Sequence, residues 1–134
     1  MSESVFLDTV GLLALWNRRD QWHTAARAVF EDLVAARTRL MTTSEVLLEC
    51  GNAAARYPFR QVVVELRDQL QAGGDLLNAS PAELEEAWTS YSRGDAAQAG
   101  IVDHISFAVM RREGLTRAFS NDQHFHAAGF ETLF

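Results

Sequence analysis

Val5-Phe6-Leu7-Asp8-Thr9 runs three apolar residues straight into a carboxylate and a hydroxyl. A buried parallel strand that delivers a charged side chain to the end of a sheet reads this way. Open α/β sheets place their sites at that end. A carboxylate attached to a hydrophobic strand is costly to bury unpaired, so the strand predicts a partner for Asp8. The expected partner is a divalent metal ion shared with carboxylates further along the chain.

Outward from that strand, helices and short strands alternate. Val10 to Trp16 reads as a short apolar helix ending at Asn17-Arg18-Arg19-Asp20, and Asp20 as the N-cap of a second helix from Trp22 to about Ala36. Leu40-Met41 is a brief second strand. Thr42-Thr43-Ser44-Glu45 then supplies a capping box, with Thr42 as cap, for a third helix reaching about Tyr57 before Pro58. Phe59 to Gln71 forms a fourth helix, stopped by Gly73-Gly74, and Asp75 to Asn78 a third strand. Ser80-Pro81-Ala82-Glu83 starts a fifth helix that runs to about Ser92. Arg93 to Gly100, with its glycines and small residues, reads as a flexible loop. A sixth helix, Ile101 to Glu113, is apolar nearly all round and therefore buried on most sides. Leu115 to Ser120 is a strand, Asn121 or Asp122 caps a last short helix, and Phe130 to Leu133 closes the chain as a strand. The alternation predicts an α/β fold with three α/β/α layers and a mostly parallel central sheet.

With 134 residues and 48% hydrophobic content, the chain fits a single domain over 1–134 with a real core. One cysteine, Cys50, makes no internal disulfide and reads as a core residue, which suits a reducing cytosol. No apolar run approaches the roughly 20 residues needed to cross a bilayer, and the N-terminus carries no signal-peptide pattern, so the protein is expected to be cytoplasmic with no membrane association. A net charge of −6 lacks the basic footprint of most nucleic-acid binders. A bound cation, however, reverses the local sign where a phosphate must sit. Every basic residue is Arg and none is Lys, which suits bidentate phosphate contacts and is equally a mark of genome base composition.

Three further acids break local rules. Glu49 falls among Val46, Leu47, Cys50, Ala53 and Ala54, on what reads as an apolar face, and a carboxylate facing a core needs a partner. Asp103 poses the same problem in the first turn of the most buried helix, where the helix dipole favours an anion. Asp122 follows a strand as Asp8 does. Each also has a plain structural reading: Asp122 as a helix cap, Asp103 as a dipole partner, Glu49 as the partner of Arg56 or Arg111. Together they predict carboxylates converging at one edge of the sheet. His104, His124 and His126 show no zinc spacing and read as packing or surface residues. Trp16, Trp22 and Trp88 read as core.

The stretches Val5 to Thr9, Thr42 to Glu49, Val102-Asp103-His104-Ile105-Ser106-Phe107 and Phe119-Ser120-Asn121-Asp122-Gln123-His124-Phe125, with the ending Ala128-Gly129-Phe130, resemble PIN-domain proteins over almost the whole chain. The resemblance is strongest to the VapC-like toxins of bacterial toxin-antitoxin pairs. It implies Mg²⁺ or Mn²⁺ held by Asp8, Glu49, Asp103 and Asp122, and an endoribonuclease activity cutting RNA. It also implies a homodimer and a small antitoxin that occludes the site. Gly100 and Gln123 depart from the common pattern, which has Ser or Thr at the first place and a basic residue at the second.

The implied chemistry is hydrolysis of a phosphodiester by metal-activated water, for which oxygen ligands suit Mg²⁺ or Mn²⁺ rather than zinc. Thr9, Ser106 and Asn121 are the expected supporting residues that orient waters or phosphate oxygens, and Arg18 and Arg19 are expected to meet the RNA backbone. An aspartyl-nucleophile phosphatase would want a second acid two residues after the first, and Val10 stands there. The alternative kept is a catalytically silent module of the same fold that binds RNA or a protein.

Overall fold

The computed structural model describes residues 3–134. Five parallel strands form one sheet in the order β3-β2-β1-β4-β5: β1 Ser4–Leu7, β2 Arg39–Thr43, β3 Leu76–Leu77, β4 Arg117–Phe119 and β5 Glu131–Thr132. β1 lies at the centre, with Phe6 opposite Met41 on one side and Ala118 on the other. Val5, Phe6 and Leu7 are fully buried, as a central parallel strand covered on both faces requires. The order of the strands reverses direction at β1, so the crevice beyond β1 and β4 is the topological switch point of the sheet.

Helices cover the sheet: α1 Thr9–Trp16, α2 His23–Ala35, α3 Ser44–Ala54, α4 Arg60–Ala72, α5 Pro81–Ser92, α6 Asp95–Gln98, α7 Ile101–Glu113 and α8 Gln123–Ala127. The expected α/β/α architecture is therefore the observed one. α7 is the most buried, with His104 to Met110 all inside, and Phe107 sets its ring edge-on to Phe125 at 5.0 Å and tilted against Phe130 at 5.6 Å. Such aromatic pairs add about 0.5–1.5 kcal/mol beyond the area they bury. α1 is pressed against β4 through Gly11, where an added Cβ would lie 2.0 Å from the Phe119 carbonyl oxygen.

Several local expectations shift. β2 runs on to Thr43 because Thr42 and Thr43 pair with Leu76 and Leu77, so Thr43, not Thr42, caps α3 by accepting the Val46 N–H at 3.1 Å. Thr42 is fully buried and donates instead to the Leu7 carbonyl at 2.6 Å, tying β2 to β1. Asp20 does not cap α2, which starts at His23 after Trp22; its carboxylate takes the Trp22 N–H in the preceding turn. The third helix ends at Ala54, short of Tyr57. Trp22 and Trp88 are exposed rather than core. The segment before α7 is a defined left-handed turn, with φ of 53°, 57° and 63° at Ala96, Ala97 and Gln98, not the irregular loop that its composition suggests.

Candidate functional site

Asp8 follows β1 directly and becomes the N-cap of α1, its Oδ2 accepting the Val10 N–H at 3.3 Å. It is only 2% exposed. A second hydrogen bond reaches the same oxygen from Ser120 Oγ at 2.8 Å, and that hydroxyl in turn accepts the Asp122 N–H at 3.0 Å. Both bonds fall on Oδ2, and the Thr9 backbone N–H is a further donor to this carboxylate that helps lower its pKa. Asp122 caps α8 by accepting the His124 N–H at 2.9 Å. The two strand-end acids thus share one serine, and the adjacency of β1 and β4 brings them together.

Asp103 stands in the first turn of α7. Its charge acts on Asp8, and those of Asp122 and Glu49 act on it. The Asp8 carboxyl is pushed up to about 7, first by burial, then by Asp103 and Asp122, with the Ser120 hydroxyl opposing the rise. Asp103 is pushed up to about 6, first by burial, then by Asp122 and Glu49, with His124 pulling it down. These shifts are the mark of like charges gathered in a poorly solvated place. Asp8 thus lies near Asp103 and Asp122, and Asp103 near Asp122 and Glu49, and none of the four makes an ion pair with arginine among the described residues.

Glu49 reaches the site differently from the sequence reading. α3 buries Val46, Leu47, Cys50 and Ala54, which turns Glu49 outward: it is exposed, pairs with neither Arg56 nor Arg111, and accepts a hydrogen bond from Thr9 Oγ1 at 2.6 Å. Ser106 is buried with an unpartnered Oγ. Asn121 makes no side-chain hydrogen bond among the described residues; the hydroxyl that orients Asp8 belongs to its neighbour Ser120, which sequence reasoning passed over. The available signal was the Ser-x-Asp spacing after a strand, a pattern in which a hydroxyl folds back onto a nearby backbone N–H.

His124 also matters more than its spacing suggested. Its Nδ1 lies 3.1 Å from the Ala96 carbonyl oxygen; a carbonyl only accepts, so Nδ1 carries the proton and donates. The bond fastens the left-handed turn of α6 to α8, directly before the helix that bears Asp103. Cys50 lies beneath the cleft, its thiol pushed up to about 12 by burial and by the charges of Asp8 and Glu49. It stays a neutral core thiol.

A cluster of hard carboxylate oxygens fits a divalent cation of the Mg²⁺ type, which keeps several waters and takes only one or two carboxylates directly. Among the described residues no three of these groups close into a tight cage. The raised Asp8 and Asp103 and the unpartnered Ser106 hydroxyl are the features that such an ion, with its waters, would satisfy.

A parallel α/β/α sheet with an acidic cleft at its switch point is the architecture of a carboxylate-based nuclease. The sequence model of the PIN domain matches residues 5–131, and the chain belongs to the PIN-domain family. It is 32% identical over 135 aligned positions to the 23S rRNA-specific endonuclease VapC20 of Mycobacterium tuberculosis, in both strain CDC 1551 / Oshkosh and strain H37Rv, covering 94% of this chain and 95% of the relative. The crystal structure of Mycobacterium tuberculosis VapC20, described as a sarcin-ricin loop cleaving toxin, superposes with a TM-score of 0.76 at 30% identity over 95% of this chain and 96% of that one. FitAcB from Neisseria gonorrhoeae shares the fold, with a TM-score of 0.65 at 14% identity over 97% of this chain and 96% of that chain.

Proposed function

We propose that the chain is a Mg²⁺- or Mn²⁺-dependent endoribonuclease acting as the toxin of a toxin-antitoxin pair, with Asp8, Glu49, Asp103 and Asp122 as metal-binding and catalytic residues. The observation that carries this reading is the meeting of the two strand-end acids on one serine at the sheet's switch point, Ser120 donating to Asp8 and accepting the Asp122 N–H, with Asp103 close enough to raise the Asp8 carboxyl. Support among relatives comes from the 32% identity to an enzyme named as specific for 23S rRNA, which makes 23S rRNA the first substrate to try.

When bound, the divalent ion lowers the pKa of water and neutralises charge on the phosphate. The residues of the chain do the rest. Ser120 orients Asp8 and favours its ionised form against burial, and Thr9 fixes the Glu49 carboxylate, which would hold a second ion or orient the attacking water. Asp103, presented by the first turn of α7, faces the same cleft, and Asp122 completes it. Ser106 and Asn121 remain the candidates for ordering water and phosphate oxygens. A homodimer and a small antitoxin complete the proposal, supported by exposed apolar side chains along α3 and α4: Leu48 is 67% and Val64 47% exposed. Among the described residues no helix is long and apolar enough to cross a membrane, which agrees with a cytoplasmic site of action.

The test is cleavage of purified 23S rRNA and of total RNA with Mg²⁺, with EDTA, and by an Asp8→Asn variant. Cleavage by the native protein that EDTA and the substitution both abolish is expected. Cleavage persisting in EDTA rejects the metal mechanism, and a native protein that binds RNA but cuts none favours the silent module.

A further inference from the structure

Of the 12 arginines, Arg27, Arg39, Arg67, Arg93, Arg112 and Arg117 pair with carboxylates. Arg111 lies over the Phe130 ring and donates to the Ala128 carbonyl. Four of the others, Arg18, Arg19, Arg56 and Arg60, are exposed and make no carboxylate pair among the described residues, Arg60 donating its Nε to the Ala55 carbonyl at 3.1 Å. Arg18 and Arg19 line a groove of about 720 Å³ whose remaining walls are Trp16, Asn17, Tyr57, Pro58 and Phe59. Arg56 and Arg60 flank those aromatic residues in the chain. Tyr57 and Phe59 stack in parallel, 2° apart at 5.4 Å, and Trp16 lies 6.5 Å from Phe59. Tyr57 is 54% exposed, so its outer face is open to another flat ring. The nearest acid in sequence, Asp20, spends an oxygen on the Trp22 N–H.

Unpaired guanidinium groups beside open aromatic faces are what single-stranded nucleic acid requires: a base on the ring, phosphates on the cations. In a chain of net charge −6, this local surplus of positive charge is the place an RNA strand can approach. The groove is coupled to the cleft by α1, whose eight residues span about 12 Å from Asp8 at one end to Trp16 at the other. The same helix meets α3 at both places, through Thr9 and Glu49 at the cleft and through Trp16 and the aromatic turn after α3 at the groove.

We propose that this groove is a subsite for the single strand of RNA flanking the cut, stacking a base on Tyr57 and holding phosphates with Arg18 and Arg19. The subsite rests on the ribonuclease reading for its purpose but not for its detection. A labelled single-stranded RNA oligonucleotide is titrated with the full chain in EDTA, at two salt concentrations, by fluorescence anisotropy. Tyr57→Ala is expected to weaken binding about five-fold or more and Tyr57→Phe, which keeps the ring, to restore it. The double variant Arg18→Gln with Arg19→Gln is expected to lower the slope of log affinity against log salt by roughly 0.7 per charge removed. Arg37→Gln, outside the groove, serves as the control. Native affinity and salt slope in both groove variants overturn the proposal and leave the groove to a protein partner; absence of RNA binding by the native chain overturns it as well. A native chain that binds RNA through the groove yet cuts none with Mg²⁺ retires the nuclease reading while keeping the subsite.

Discussion

Ser120 Oγ donates to Asp8 Oδ2 at 2.8 Å across 112 positions of sequence, and the same oxygen accepts the Asp122 N–H. One hydroxyl thus fixes the rotamer of a buried carboxylate and the start of α8. It also lowers the Asp8 pKa against the burial that raises it. Ser120→Ala removes the donor and leaves the methylene in place. The expected result is a loss of about ten-fold or more in kcat/KM, together with an acidic limb of the pH–rate profile displaced to higher pH. An unchanged profile would mean that the serine serves only the turn.

The acids also set how stability depends on pH. Asp8 titrates near 7 in the folded chain instead of its ordinary 3.8, mainly from burial and then from Asp103, so the folded state holds the proton more tightly than the unfolded one. Its contribution to stability is complete below about pH 4 and is lost as pH rises through about 7. Asp103 acts in the same direction up to about 6. In EDTA, stability in urea is expected to fall between pH 5 and pH 8, by a free energy on the order of 3 kcal/mol for Asp8, about two of its pKa units being titrated in that window at ~1.4 kcal/mol each. Asp8→Asn should remove most of that slope and raise stability at pH 8 while abolishing cleavage. Mg²⁺, binding the ionised cluster, should stabilise the native chain most at high pH. A urea midpoint equal at pH 5 and pH 8 would refute the gathering of charges.

The left-handed turn before α7 makes a separate prediction. Ala96, Ala97 and Gln98 all have positive φ, a conformation that costs a residue bearing a Cβ roughly 1–2 kcal/mol. The His124 bond to the Ala96 carbonyl and the packing of Ala99, 2% exposed, hold the segment there. Ala97→Gly relieves one such residue at an exposed position and is expected to raise stability by about 1 kcal/mol in urea unfolding. A loss of stability instead would mean that the turn carries no strain.

These residues also separate what the sequence makes legible from what it hides. Asp8 stands out because a carboxylate ending the run Val5-Phe6-Leu7 has few structural uses, and the alternation of helices and strands reveals the layers. Ser120 does not stand out, since a serine after a strand reads as an ordinary turn residue until the parallel pairing of β1 and β4 sets it against Asp8. The exposure of Glu49 depends on which side of α3 is buried, and the run Val46, Leu47, Cys50, Ala53, Ala54 leaves that face ambiguous. Alanine gives no signal of positive φ, so the turn at Ala96 reads as a loop. The strand–helix boundary at Thr43 follows from pairing with β3, which local capping patterns do not contain.

Gly11 gives the most direct test of how the fold carries the cleft. It lies in α1, and a Cβ there would meet the Phe119 carbonyl oxygen at 2.0 Å and the Phe119 ring at 2.7 Å. Those atoms belong to a central strand whose side chain is fully buried against Phe30 and Phe134, so neither can yield cheaply. Gly11→Ala must therefore push α1 away from β4, at a cost of about 3 kcal/mol or more, the upper end of ordinary overpacking. The same displacement separates Asp8, which caps α1, from Ser120, which follows Phe119. Loss of stability in urea is thus expected to come with loss of cleavage beyond the folded fraction, whereas Gly51→Ala, with open space around its Cβ, should leave both intact. An unaltered urea midpoint for Gly11→Ala would show that α1 and β4 are not in the close approach on which the position of Asp8 depends.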